Sequence, residues 1–153
     1  MEHTGETAIG SRPAISAFSA RVRVGRLVEM RVGRLGGLAD IEALNASATS
    51  AMRLAGSAFV VCADHRFASP VSSDLADRWS RAMRRVNRSL GRSAILLHPA
   101  NTTFNLQIQR VVQCAGSDDR RVFTDRKELL EWLDDRLNEA ERAALRVFLD
   151  GQT

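Results

Sequence analysis

The feature that most constrains the fold is a repeated pairing of a short apolar run with a helix pattern. Residues 58–62 (AFVVC) and 93–98 (SAILLH) are apolar runs typical of buried strands, and each precedes a segment with apolar residues at helical spacing. Such repeats form parallel strands whose right-handed crossovers place the connecting helices on one face of the sheet. The pattern therefore predicts an α/β fold.

A hairpin precedes these repeats. Apolar residues alternate with polar ones over 18–24 and again over 28–32, and Gly25-Arg26 separates the two runs. The predicted element order is β-β-α-β-α-β-α-β-α-α. We expect one α/β domain over residues 14–150, with a mixed sheet of about five strands, helices mainly on one face, and the opposite face largely open. Residues 1–13 are predicted to be a flexible tail.

Helix starts and stops can be placed from local chemistry. Helices are expected to begin near Ser72-Ser73, with Thr102 or Thr103 capping the next one, and Gly56 and Gly116 end two of them. Asp125 with Glu128, and Asn138 with Glu141, have the spacing of capping boxes, so two more helices are predicted at the C-terminal end.

Composition excludes several classes of protein. The chain has 153 residues, 22 Lys+Arg against 18 Asp+Glu and a formal net charge of +4, which is ordinary for a globular domain. No apolar run is long enough for a membrane span, and the start MEHTGETAIG lacks the features of a signal peptide. We therefore expect a cytoplasmic protein, with Cys62 and Cys114 as reduced core residues.

One loop carries the chain's resemblance to a known family. Asp64 ends the run AFVVCAD, and after a short loop Val71-Ser72-Ser73-Asp74 opens a helix. This arrangement resembles the STAS-like superfamily, the SpoIIAA-like antagonists of anti-sigma factors, in which a serine of an Asp-Ser-Ser/Thr-Gly motif at this place is phosphorylated. Residues 121–149 also look like the tail of uncharacterised bacterial STAS-like proteins. Val71 and Asp74 stand where the motif has Asp and Gly.

The resemblance implies a non-catalytic regulatory protein that binds another protein, such as a regulatory partner or a kinase, without a cofactor or metal. Ser73 would be the phosphorylated residue, with Ser72 and Ser69 as alternatives. The negative charge would be stabilised at a helix N-terminus. The expected contact surface comprises Asp64, Arg66, Ser69, Asp74, Arg78 and Arg81.

A second interpretation is a small-molecule-binding protein or an enzyme. Asp64 and His65 follow one central strand and His98 ends the next, so all three are expected at one edge of the sheet, where α/β proteins commonly bind ligands. The sequence has neither a G-x-S-x-G elbow nor a phosphate-binding glycine loop, which argues against catalysis. Zinc is weakly suggested by Cys62 and His65, which lack a second pair of ligands.

Nucleic-acid binding is a third and less favoured interpretation. Arg21, Arg23 and Arg31 are predicted on one exposed face of the hairpin, where they could contact phosphates. No aromatic stacking pair accompanies them, so an RNA-binding platform is not supported. An open sheet face or a free edge strand would also allow a homodimer.

Overall fold

The computed structural model describes residues 18–151; the predicted tail, residues 14–17 and the last two residues lie outside this part. Within it the predicted α/β class and element order are confirmed. The elements are β1 (Phe18–Val24), β2 (Leu27–Val32), α1 (Leu38–Ala55), β3 (Phe59–Asp64), α2 (Ser73–Val86), β4 (Leu90–Leu96), α3 (Thr102–Ala115), β5 (Arg120–Phe123), α4 (Arg126–Asp134) and α5 (Glu139–Asp150), with a 3-10 turn at Asn87–Ser89.

The strands form one mixed sheet in the order β1-β2-β3-β4-β5. The first pair is antiparallel and the other three pairs are parallel. Each βα unit thus adds its strand beside the previous one, so the crossover helices α1, α2 and α3 share one face, as expected. Their core includes Val28, Ile41, Val61, Trp79, Ile95 and Phe104.

The expectation that the opposite face is open is wrong. Helices α4 and α5 pack there, and Leu27, Val60, Cys62, Ala94 and Leu96 of the sheet form a second core with Leu129, Leu133, Leu145, Phe148 and Leu149. The physical reason is that these two helices follow the last strand. Their apolar stripes must be buried, and the free face of the sheet is the surface left to bury them.

The hairpin turn is tied to the start of α5. Gly25 has a φ of +58°, and the backbone N–H of Arg26 donates to Glu141 Oε2 at 2.8 Å. Glu141 Oε1 also accepts from the backbone N–H of Asn138, and Asn138 Oδ1 accepts from the Glu141 N–H, which confirms the predicted capping box. A buried carboxylate thereby joins β1 and β2 to the second helical layer.

Other local predictions have mixed outcomes. Asp125 does cap α4 through the Lys127 N–H. Thr102 and Thr103 lie inside α3 instead of capping it; Asn101 precedes the helix, without a side-chain cap bond.

Cys62 is buried as expected, and burial raises the pKa of its thiol. Cys114 is exposed, because it lies on the outer side of α3.

Candidate functional site

The last residue of β3, Asp64, and the next residue, His65, lie on opposite faces of the sheet. Side chains alternate along a strand, so Asp64 and His65 point in opposite directions. The Asp64 side chain lies under the end of α5, whereas the His65 ring lies against Trp79 and Phe104 in the other layer. The predicted ligand site is therefore split by the sheet.

Asp64 belongs to an ionic cluster that fastens the end of α5. Its carboxylate accepts from Arg31 Nη1 at 2.9 Å and from Arg66 Nε and Nη2 at 2.9 Å each. The same guanidinium groups donate to the carbonyls of Phe148, Leu149 and Gly151. Burial raises the pKa of Asp64, but the hydrogen bonds from Arg66 and the two positive charges outweigh it and hold that pKa below its usual value.

The ionic contacts of Asp64 and the hairpin arginines bear on the partner-binding and nucleic-acid-binding roles predicted for them. Asp64 is only 3% exposed and its oxygens are occupied, so in this conformation it offers no surface to a partner. Arg31 is committed to Asp64 and to backbone carbonyls, and Arg21 and Arg23 lie beside the buried carboxylate of Glu29. Each of the three hairpin arginines therefore has a carboxylate partner.

His65 is a buried and uncharged imidazole. Its ring stacks on Trp79 with centroids 5.4 Å apart and lies 5.8 Å from the ring of Phe104. Burial lowers its pKa to about 4, an effect that the negative charge of Asp64 only partly opposes. The residue is 2% exposed, and its Nδ1 atom has no hydrogen-bond partner among the described residues.

A cavity of about 250 Å³ adjoins this ring, between the sheet and helices α1 and α2. Its walls are mainly apolar, with Met30 and Met52, Val61 and Ala63, Met83 and Ile95 among the lining residues. The polar groups that line it are Asn45, Thr49, His65, Arg85, Ser93 and Arg120. The volume exceeds the ~150 Å³ of an engineered apolar cavity that binds benzene. The cavity, which is partly open to solvent beside the exposed Arg85, can therefore hold a small organic molecule.

His98 does not join this cavity. It follows β4 in an exposed loop, and its Nδ1 accepts from the backbone N–H of Ala100 at 3.0 Å. Of the three residues of the second interpretation, only His65 lines the cavity. The suggested zinc pair is also separated, because Cys62 packs in the layer of α4 and α5. Within residues 18–151 no group of three or more His, Cys, Asp or Glu side chains could hold a metal ion.

The serines of the predicted switch lie at the start of α2. Ser72 is the N-cap and accepts from the Leu75 N–H at 3.2 Å, whereas Ser73 is exposed in the first turn. Asp74 and Arg78 form a long surface ion pair of 3.9 Å. Arg81 is exposed, and Ser69 is half-buried in the preceding loop. The candidates at the start of α2 are thus exposed residues outside the cavity lining, whereas Arg66 is bonded to Asp64 and to the Leu149 carbonyl.

The cavity was missed at the sequence level, with the exception of His65. The apolar patterns around Met30, Met52 and Met83 indicate core positions of a strand and two helices, and give no sign of a cavity. Arg120 carries no signal of burial, because arginine is ordinarily a surface residue. The spacing of Trp79 and Met83 predicts that both residues lie on the inner side of α2, which lines the cavity.

The site belongs to an α/β protein with a cavity, partly open to solvent, on one side of its sheet. We found no protein-family model, no curated protein and no solved structure that matches this chain. Among residues 18–151, none of the helices has the length and apolar character needed to cross a membrane.

Proposed function

We propose that this protein binds a small molecule with an apolar body in the cavity between the sheet, α1 and α2. The observation that carries the proposal is the cavity of about 250 Å³, whose mainly apolar lining includes the buried imidazole of His65. Ligand sites in proteins are concave and mostly apolar, with a few polar groups that orient the ligand.

The composition of the walls favours an apolar ligand over a cluster of water molecules. Buried water is stable where it finds several polar partners, and much of this cavity is lined by methionine and aliphatic side chains. Methionine is flexible and polarisable, so Met30, Met52 and Met83 can adapt to the shape of a guest. The Trp79 ring provides an aromatic wall next to the imidazole.

The proposal assigns no reaction to the cavity. Among the described residues His65 has neither a nucleophile nor a carboxylate hydrogen-bonded to it, whereas a catalytic dyad needs one such partner and a triad needs both. Its lowered pKa keeps the imidazole neutral at pH 7, where it can accept a hydrogen bond from a ligand.

Calorimetric titration with 1-octanol tests the proposal, because this alcohol combines an apolar chain with one hydroxyl donor. We expect saturable binding at one site. Ala63→Leu, which puts a larger side chain into the cavity, should weaken binding at least tenfold. Ala46→Leu makes the same change at an exposed position of α1 and should leave binding unaltered. Absence of saturable binding, or equal affinity in both variants, would contradict the proposal.

A serine-switched, protein-binding regulator remains a second proposal. It is favoured by Ser73, which is exposed and takes no part in the cap that Ser72 provides. If a partner senses phosphate there, Ser73→Asp should change its affinity for this protein more than Ser73→Ala does. Affinity purification of the tagged protein from its native cells identifies the partner. Mass spectrometry of the peptide that contains residues 69–74 shows whether a serine is phosphorylated. Equal affinity of the partner for the two variants would contradict a phosphorylation switch at Ser73.

A further inference from the structure

Arg120 lines the same cavity and is the most buried arginine among the described residues, at 8% exposure. Its Nε donates to Asn87 Oδ1 and its Nη2 to the Met83 carbonyl, each at 3.0 Å. Both acceptors are neutral. Within residues 18–151 the guanidinium has no ion pair.

Less buried arginines of this protein do have carboxylate partners. Arg31 and Arg66 share Asp64, and Arg92 contacts Asp135 at 3.0 Å. Burial lowers the pKa of Arg120 to about 10, which still leaves the guanidinium charged at neutral pH. A buried charge without a counter-charge is costly, because burial removes its hydration. The most buried arginine among the described residues thus has no carboxylate partner.

The geometry of the sheet separates Arg120 from His65 along the strand direction. Arg120 is paired with Ser93 and Ser93 with Val61, and His65 follows Val61 by four residues. At ~3.3 Å per residue the two backbone levels are about 13 Å apart. The cavity therefore has the buried Arg120 toward one end and a neutral imidazole toward the other, with mainly apolar walls between them. A second arginine of the lining, Arg85, is exposed to solvent.

We propose that the ligand is an amphipathic monocarboxylate whose carboxylate pairs with Arg120 and whose apolar chain extends past the methionines toward His65. A planar guanidinium suits a carboxylate, to which it can donate two parallel hydrogen bonds. Arg120 is the buried cation of the lining and matches one negative charge, whereas Arg85 is exposed to solvent and the uncharged imidazole gives no site for a second anion. This inference rests on the proposed function and adds the chemical class of the ligand.

Three probes with the same eight-carbon chain separate charge from apolar contact: octanoate, 1-octanol and octylammonium, each titrated calorimetrically into the full chain at pH 7.5. We expect octanoate to bind at least tenfold more tightly than 1-octanol and octylammonium to bind most weakly. Octanoate binding no better than 1-octanol would overturn the inference and leave the proposed function intact. Failure of all three to bind would contradict the proposed function itself.

Substitutions test whether the positive charge of Arg120 causes the preference for octanoate over 1-octanol. Arg120→Met should remove the preference for octanoate while 1-octanol still binds, and Arg120→Lys should retain part of it. Arg81→Gln removes one positive charge from the exposed side of α2 and should keep the full preference. An unchanged preference in Arg120→Met would overturn the inference. Should Arg120→Met fail to fold, a full loss of the preference in Arg81→Gln would overturn it equally.

Discussion

The rings of His65 and Trp79 stack with their centroids 5.4 Å apart and their planes inclined by 20°. One ring follows strand β3 and the other belongs to helix α2, so the contact joins the edge of the sheet to the helix that walls the cavity. It also excludes water from the imidazole, which accounts for the lowered pKa of His65.

Acid should destabilise the protein through His65. The pKa of this residue falls from 6.5 to about 4 on folding, so its contribution to stability is complete above pH 6.5 and is lost as pH falls toward 4. The loss should approach about 3 kcal/mol. Urea unfolding of the wild type and His65→Phe between pH 7 and pH 4 measures the difference. Exposed His98→Phe is the control for the removal of a histidine side chain.

Asp64→Asn should destabilise the protein without affecting the cavity. The substitution removes the negative charge that Arg31 and Arg66 share, and breaking such a buried pair costs about 3 kcal/mol. Asp74→Asn at the surface should cost less than about 0.5 kcal/mol. Urea denaturation compares the two. Because Asp64 lies under α5, its substitution should leave the affinity for 1-octanol unchanged, and a large loss of that affinity would contradict the separation of the two faces.

Ala63→Leu should stabilise the fold while it removes binding. Ala63 is 4% exposed and lines the cavity, so a leucine side chain can occupy space that a ligand would otherwise fill. At ~0.8 kcal/mol per buried methylene, less some strain, the free energy of unfolding should rise by about 1–2 kcal/mol. Substitutions that fill a binding cavity commonly increase stability and reduce ligand binding. Destabilisation by more than 1 kcal/mol would show that the cavity has no room for the side chain.

Glu141→Gln should weaken the link between the hairpin and α5. One carboxylate oxygen accepts from Arg26 N–H and the other from Asn138 N–H, so an amide must leave one of these donors without an acceptor. The expected cost is about 2 kcal/mol in urea unfolding. Glu139→Gln is the control, because that side chain is exposed at the start of the same helix. Equal stability of the two variants would contradict the role given to Glu141.

Local patterns were sufficient to predict most of the elements. The alternation around Gly25 predicts the hairpin, and the spacing of Trp79 and Met83 predicts the inner side of α2 because side chains repeat with the period of the element. Asn138 and Glu141 predict a helix start because both bonds of a capping box form within four consecutive residues. These interactions are local, so sequence spacing alone contains the relevant geometry.

Long-range packing could not be predicted in the same way. The crossover rule places helices between consecutive parallel strands, but it does not apply to α4 and α5, which follow the last strand. The burial of Arg120 depends on Asn87 and on the Met83 carbonyl, 33 and 37 residues away in sequence. The division of Asp64 and His65 between two faces follows from strand alternation, and the prediction of a single edge site ignored it.

The most direct test of the binding proposal uses the methionine methyl groups. The sequence has four methionines, of which Met30, Met52 and Met83 line the cavity. With 13C-labelled methionine methyls, bound 1-octanol should give intermolecular NOEs to these three groups, and the NOEs should disappear in Ala63→Leu. Saturating 1-octanol that gives no NOE to any of the three methyls would contradict the proposal that this cavity binds ligands.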